Sequence, residues 1–169
     1  LVLVVHPLSI IIRWDDDRAA LSITLECKKW IEQNIPSQSR ILLDNSGNAG
    51  PKIANAPTNT RRQYDRARAH KLIKADYLKL LLETTPAVYY DIVEIDSPAG
   101  SRTDDYRRYR LWQDTDVIGQ QPSYYCERGY DYIIVTKRNF SRVGEGFMLL
   151  KEFARGDRGI RVYQVSCGL

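Results

Sequence analysis

Residues 14–45 constrain the fold more than any other stretch, because they specify a helix followed directly by a strand. The aspartates at 15–17 can cap free backbone amides and face the positive end of a helix dipole, so a helix is predicted to begin near residue 17. Apolar residues then recur at intervals of three and four as far as Ile31. Pro36 disfavours helical geometry in the residue before it, so the helix is expected to end there, ahead of a buried strand at 40–44.

The rest of the chain continues this alternation of helix and strand. Helices are predicted at 60–83, broken near 70–74, at 105–112 and at 145–155, with a short turn or helix at 123–128. Strands are predicted at 88–95, 132–136 and 160–165, the last at a sheet edge. This order predicts an α/β fold, in the form of a three-layer sandwich with a mostly parallel sheet. We expect a Rossmann-like arrangement without a dinucleotide-binding fingerprint.

The length and composition favour one soluble α/β domain over residues 14–169, preceded by an apolar lead-in at residues 1–13. The lead-in is well short of the ~20 residues that a spanning helix needs. It also lacks the basic start and cleavage site of a signal peptide. Since the chain begins with Leu1 rather than Met, two interpretations stay open, a first strand or the end of a membrane segment.

The cysteines and the charge exclude some functions. Three widely spaced cysteines, no CxxC pair and two histidines make a zinc site improbable, and we expect no metal and no cofactor. In an oxidising compartment one pair of cysteines could form a disulfide, but the sequence does not choose which pair. The net charge of +4 is too small to indicate a nucleic-acid-binding protein, so no nucleic-acid partner is expected.

Candidate ligand-binding residues lie where the predicted strands end, because ligands of open α/β sheets bind at the carboxyl ends of strands. They are Asp44, Asn45, Gly47, Asp96, Lys137 and Arg138. The loop after the first strand has G-x-x-G spacing and no following Lys-Ser or Lys-Thr pair, so it matches neither a dinucleotide fingerprint nor a P-loop. An ordinary surface loop is the simpler interpretation, and no catalytic residue is predicted.

A basic segment spans residues 60–79, where seven lysines and arginines outnumber two aspartates. Such a segment could contact the phosphates of an anionic lipid surface or of a nucleic acid. The simpler alternative is a solvated helix face.

Several short motifs resemble a recurring junction in large membrane glycosyltransferases. The motifs are DRA at 17–19, WIE at 30–32, NIP at 34–36, SRILLD at 39–44 and GYDYIIVT at 129–136, with a closing helix and strand suggested by 147–153 and 162–163. The family comprises lipid-carrier-dependent enzymes related to protein mannosyltransferases and to the aminoarabinose transferase of lipid A. The resemblance covers about two thirds of the chain, and its motifs are structural rather than catalytic.

The resemblance implies that this chain is the extracytoplasmic C-terminal domain of a polytopic enzyme that transfers sugar from a polyprenyl-phosphate donor. The catalytic carboxylate of that family lies in the membrane part, so the fragment alone is expected to be non-catalytic. Its expected partners are the membrane part of its own parent chain and a lipid-linked sugar or glycan acceptor. The alternatives are a stand-alone Rossmann-like module that binds a nucleotide or an anionic metabolite, and an adaptor that docks through the basic segment.

Overall fold

A computed structural model describes residues 21–45, 50–84, 86–95 and 117–167. The first helix, α1, is helical over 21–34 within the described part, and its predicted start near residue 17 lies outside that part. The other helices are α2 (Pro57–Ala69), α3 (Lys74–Glu83), α4 (Pro122–Glu127) and a 3-10 helix (Lys137–Arg142). The strands are β1 (Arg40–Asp44), β2 (Asp91–Ile95), β3 (Tyr132–Thr136), β4 (Phe147–Arg155) and β5 (Arg158–Val165).

These elements form an α/β fold around one mixed five-stranded sheet with the strand order β2-β1-β3-β5-β4. Strand β1 pairs in parallel with β2 and with β3, whereas β5 pairs antiparallel with β3 and with β4. The sheet is therefore mixed, whereas the sequence predicted a mostly parallel sheet. Strand β5 also lies between β3 and β4 rather than at the edge.

The predicted helix at 145–155 is wrong, because most of that segment is strand β4. Its apolar residues are spaced as on a helix face, but Met148 and Leu149 are about half exposed and only Phe153 is buried. Gly156 adopts a positive φ of 62° in the tight turn to β5, so the two strands form a hairpin. The strands of a hairpin are antiparallel. A parallel pairing of β3 with β5 would need a crossover helix between them, and because the segment expected to form that helix is β4, the sheet is mixed.

The sheet carries a hydrophobic core on each face. Successive strand residues point to opposite faces, and accordingly Ile41 and Leu43 belong to one buried cluster and Leu42 to the other. The first cluster includes Cys27 and the other inward residues of α1. The second includes Tyr125 of α4.

A disulfide joins Cys126 on α4 to Cys167, just beyond β5, while Cys27 is a buried free thiol. The bond fastens α4 to the end of the chain that the structure describes. No helix in the described ranges has the length and hydrophobicity to cross a bilayer. The helix predicted at 105–112 lies outside these ranges.

Candidate functional site

Asp44, the first predicted ligand-binding residue, is the acceptor of a buried hydrogen-bond network. It ends β1 with 1% of its surface exposed. Its Oδ2 accepts bonds from the Thr136 backbone amide at 3.0 Å, the Thr136 hydroxyl at 2.6 Å and the Asn139 side-chain amide at 2.8 Å. The carboxyl group thus joins the end of β1 to the end of β3 and to the 3-10 helix.

Asn45 is also buried, with 3% of its surface exposed, and it anchors the loop that follows β1. Its backbone amide donates to the carbonyl oxygen of Ile95 at 2.8 Å, which continues the pairing of β1 with β2. Its Oδ1 accepts from the Gly50 amide and from Lys52 Nζ, both at 3.3 Å. Gly50 is packed so closely that an added Cβ would lie 2.9 Å from the carbonyl oxygen of Asp44.

The other predicted positions are less constrained or lie outside the described ranges. Lys137 and Arg138 are exposed residues in the first turn of the 3-10 helix, and Lys137 Nζ donates to the Gly156 carbonyl oxygen at 3.2 Å. Gly47 and Asp96 are outside the described residues. The structure therefore brings Asp44 next to the 137–139 segment, as the rule for strand ends predicts, but it uses Asp44 as a structural acceptor. Ligand binding at these positions stays a prediction.

A cleft of about 350 Å³ opens near the end of β1, between α1, the 51–57 segment and helix α3. Its apolar lining includes Leu43, Ile53, Leu78 and Leu81. Its polar lining includes Lys28, Lys52, Asn55, Gln63, Tyr77 and Glu94. The cleft thus combines an apolar floor with amide, ammonium, carboxylate and phenol groups, which is the usual composition of small-molecule sites.

One wall of the cleft is held in place by a chain of polar contacts along the edge strand β2. Asn55 Oδ1 accepts from the Ala56 amide at 2.9 Å, the Ile92 amide at 3.3 Å and the side-chain amide of Asn59 at 3.2 Å. Asn59 also donates to Asp91 Oδ1 at 2.7 Å. The 54–56 segment forms a bridge to Tyr90, so it covers part of the sheet edge and presents Asn55 in a fixed position.

Helix α1, which contributes Lys28 to the cleft lining, is held by Tyr90, whose side chain is fully buried against it. Its hydroxyl lies 3.2 Å and 3.5 Å from the carbonyl oxygens of Ile31 and Ile35, at the end of that helix. Burial raises the pKa of Tyr90 above its ordinary value, with a smaller contribution from Glu32. Tyr90 therefore stays a neutral hydrogen-bond donor that joins β2 to α1.

The free thiol of Cys27 is not activated as a nucleophile. Burial raises the pKa of Cys27 to about 12, so its thiol stays protonated and is a poor nucleophile. Within the described part of the chain, no group of three or more His, Cys, Asp or Glu side chains is placed to hold a metal ion.

The cleft residues Lys52 and Asn55, and Asn59 that donates to Asn55, were not among the predicted site residues. The segment that contains them is rich in Asn, Pro and Gly, which predicted a loop but not a binding surface. One usable signal was Pro57, since proline favours the first turn of a helix and marks the start of α2. That signal places Asn55 and Asn59 on either side of a helix start.

Comparison of the chain with models of protein families, with curated proteins and with solved structures finds no match.

Proposed function

We propose that this chain is the extracytoplasmic, non-catalytic α/β domain of a polytopic membrane glycosyltransferase that uses a polyprenyl-phosphate sugar donor. The observation that carries the proposal is the Cys126–Cys167 disulfide. Disulfides form and persist in oxidising compartments and are rare in the cytosol. A structural disulfide therefore favours the outer or periplasmic side of a membrane.

The junction motifs give the second line of support. The NIP motif at 34–36 spans the end of α1, the SRILLD motif at 39–44 contains β1, and the GYDYIIVT motif at 129–136 contains β3. These positions, a helix end and two strands, agree with the elements that the resemblance implies there. The segment 147–153 gives no such support, because a closing helix was expected there and the segment is a strand.

Because α1 contributes to one buried cluster and α4 to the other, we infer that helices cover both faces of the sheet in a three-layer arrangement.

The cleft gives this domain its role on the acceptor side. Asn55, Gln63 and Lys52 supply hydrogen-bonding groups, and the ring of Tyr77 supplies an apolar surface next to them. Sugars need this combination, since a pyranose ring presents hydroxyls at its rim and C–H groups on its faces. A lipid-linked sugar or glycan acceptor bound here would be held while the membrane part of the parent chain performs the transfer.

The proposal is tested on the native protein in its host cell. The upstream coding sequence is expected to encode about ten hydrophobic spans, each of roughly 20 residues. A membrane-impermeant maleimide applied to intact cells should label Cys126 and Cys167 only after reduction. A start codon near Leu1 with no upstream spans would refute the proposal. Free Cys126 and Cys167 thiols in the untreated protein would refute its extracytoplasmic part.

A stand-alone module for an anionic metabolite is the second candidate, favoured by the ammonium groups of Lys28 and Lys52 at the cleft. It predicts saturable shifts of the Asn45 and Lys52 amide signals in NMR titrations with nucleotides and sugar phosphates. Unchanged signals across that panel would refute it.

A further inference from the structure

Helix α3 carries apolar side chains on a buried face and on an adjacent exposed face. Its inner face contacts the rest of the domain through Leu78, which is 6% exposed. On the adjacent face the N-cap residue Ile73 and the helix residues Tyr77, Leu80 and Leu81 are 95%, 61%, 55% and 36% exposed. These four residues, at spacings of four, three and one, form one continuous surface on a helix, here named the outward stripe.

An apolar surface of this kind is unusual on an otherwise solvated helix, and its surroundings are basic. Seven lysines and arginines lie between residues 60 and 79 against two aspartates, a local excess of five positive charges. Six of the seven are exposed, namely Arg61, Arg62, Arg66, Arg68, Lys71 and Lys79. Lys79 pairs only loosely with Glu83 at 3.9 Å, with both side chains more than half exposed.

The tip of the hairpin formed by α2 and α3 brings the two properties together. Residues 70–73 form the turn, in which Lys71 has a positive φ of 52°. Ile73, the most exposed apolar residue of the stripe, is the last residue of this turn and lies between Lys71 and Lys74 in the sequence. An exposed isoleucine flanked by lysines suits a boundary where acyl chains meet anionic headgroups.

We propose that the α2–α3 hairpin docks on the surface of an anionic lipid bilayer. The outward stripe inserts at the level of the headgroups, and the arginines of α2 lie against lipid phosphates. Apolar insertion combined with electrostatic attraction is the usual basis of interfacial helix binding.

The charge distribution favours lipid over the other occupants of such a surface. A second copy of this chain would bring the same basic hairpin against itself, and like charges facing one another oppose association. A nucleic acid would satisfy the arginines but would leave Ile73 and Leu80 without a function. An anionic bilayer uses both features.

Docking in this way would place the cleft at the lipid surface, because Tyr77 and Leu81 belong both to the outward stripe and to the cleft lining. Lipid-linked sugars are found at that surface. The docking proposal itself does not depend on the glycosyltransferase proposal, since it concerns only the hairpin and the bilayer.

The experiment measures co-sedimentation of the 169-residue chain with vesicles. Vesicles of phosphatidylcholine mixed with phosphatidylglycerol should bind the protein, vesicles of phosphatidylcholine alone should bind it far less, and added salt should weaken binding to the mixed vesicles. The variant Arg62→Gln/Arg66→Gln/Arg68→Gln should bind roughly 100-fold more weakly, since each basic residue near an anionic surface contributes about a factor of five. The variant Ile73→Ser/Leu80→Ser should lose at least about tenfold.

Strand β4 supplies controls, because it has exposed apolar and basic residues away from the α2–α3 hairpin. Met148 and Leu149 are 50% and 47% exposed, and Lys151 and Arg155 are exposed basic residues. The variants Met148→Ser/Leu149→Ser and Lys151→Gln/Arg155→Gln should bind vesicles as the unmodified chain does. The apolar lead-in at 1–13 is the same in every variant, so it does not contribute to the differences.

Three results would overturn docking on lipid. One is vesicle binding that is unchanged by Ile73→Ser/Leu80→Ser, and another is an equal loss in the β4 controls. The third is binding of single-stranded RNA through the arginines with no binding to anionic vesicles. Free Cys126 and Cys167 thiols in the native protein would refute the extracytoplasmic proposal and leave vesicle binding unaffected, so the two failures are distinguishable.

Discussion

Replacing Asp44 by alanine tests whether this predicted ligand-binding residue is in fact a structural acceptor. The substitution removes the oxygen that accepts three hydrogen bonds from Thr136 and Asn139. Asp44 and both of its partners are buried, with 1% to 4% of their surface exposed. Water therefore cannot readily replace the lost acceptor, and the donors remain unsatisfied inside the protein.

The expected loss of unfolding free energy is about 4 kcal/mol. A hydrogen bond to a charged group contributes roughly 1.5–3 kcal/mol, and an abandoned buried donor costs about 1–3 kcal/mol. The full sum for three bonds is an upper bound, because the Thr136 hydroxyl and the Asn139 amide can rotate toward other acceptors. Thr136→Val, which keeps the backbone bond and removes only the hydroxyl, should cost about 1–2 kcal/mol.

Urea denaturation followed by circular dichroism measures these losses, with the disulfide kept intact. Asp65→Ala on the exposed face of α2 is the control and should change the unfolding free energy by less than about 0.5 kcal/mol. The losses in Asp44→Ala and Asn139→Ala should be strongly non-additive in the double variant, since they remove the same bond. A loss below about 1 kcal/mol in Asp44→Ala would refute the structural interpretation and favour a ligand-binding role.

Three further predictions concern other parts of the fold. Reducing the disulfide, or replacing Cys126 and Cys167 by serine, should lower the unfolding free energy by about 4 kcal/mol, the loss of chain entropy expected for a separation of 41 residues. In the same urea titration a reductant should have no effect on the double serine variant. Because burial raises the pKa of Cys27 to about 12, the folded state holds this proton more tightly than the unfolded state. The contribution of Cys27 to stability is therefore complete below pH ~8.5 and declines toward pH 12 by up to about 1.4 kcal/mol per pH unit. In denaturation experiments at rising pH, Cys27→Ala should flatten that decline. Gly119→Ala should lower the unfolding free energy by about 2–3 kcal/mol, because φ is +107° and the new Cβ would lie 2.8 Å from a backbone oxygen. Gly129→Ala, with open space around it, should lower it by about 1 kcal/mol, and thermal denaturation measures both losses.

The sequence alone was sufficient where the deciding forces act between near neighbours. The end of α1 before Pro36, the bounds of β1 and β3, and the break between α2 and α3 near residue 70 are confirmed. Each depends on a local cause: a proline, a run of buried β-branched or leucine side chains, or an interruption of helical periodicity. The rule that ligands bind at the carboxyl ends of strands also grouped Asp44 with Lys137 and Arg138, but it did not select Asn139, the residue of that segment that contacts Asp44.

Long-range pairing decided the rest. The segment 147–155 has spacing that suits a helix, and it became β4 because the backbone of β5 is available next to it across the turn at Gly156. The partners of Asp44 lie 92 and 95 residues away in the sequence, so no local pattern could show that this carboxyl group is fully used inside the protein.

The cysteines show the same division. The sequence allowed three possible pairs and could not choose among them. The sheet separates Cys27, which belongs to the cluster on one face, from Cys126, which packs against the cluster on the other. Cys167 follows β5 on the side of α4, so only Cys126 is within reach, and the choice of disulfide was fixed by which face of the sheet each helix covers.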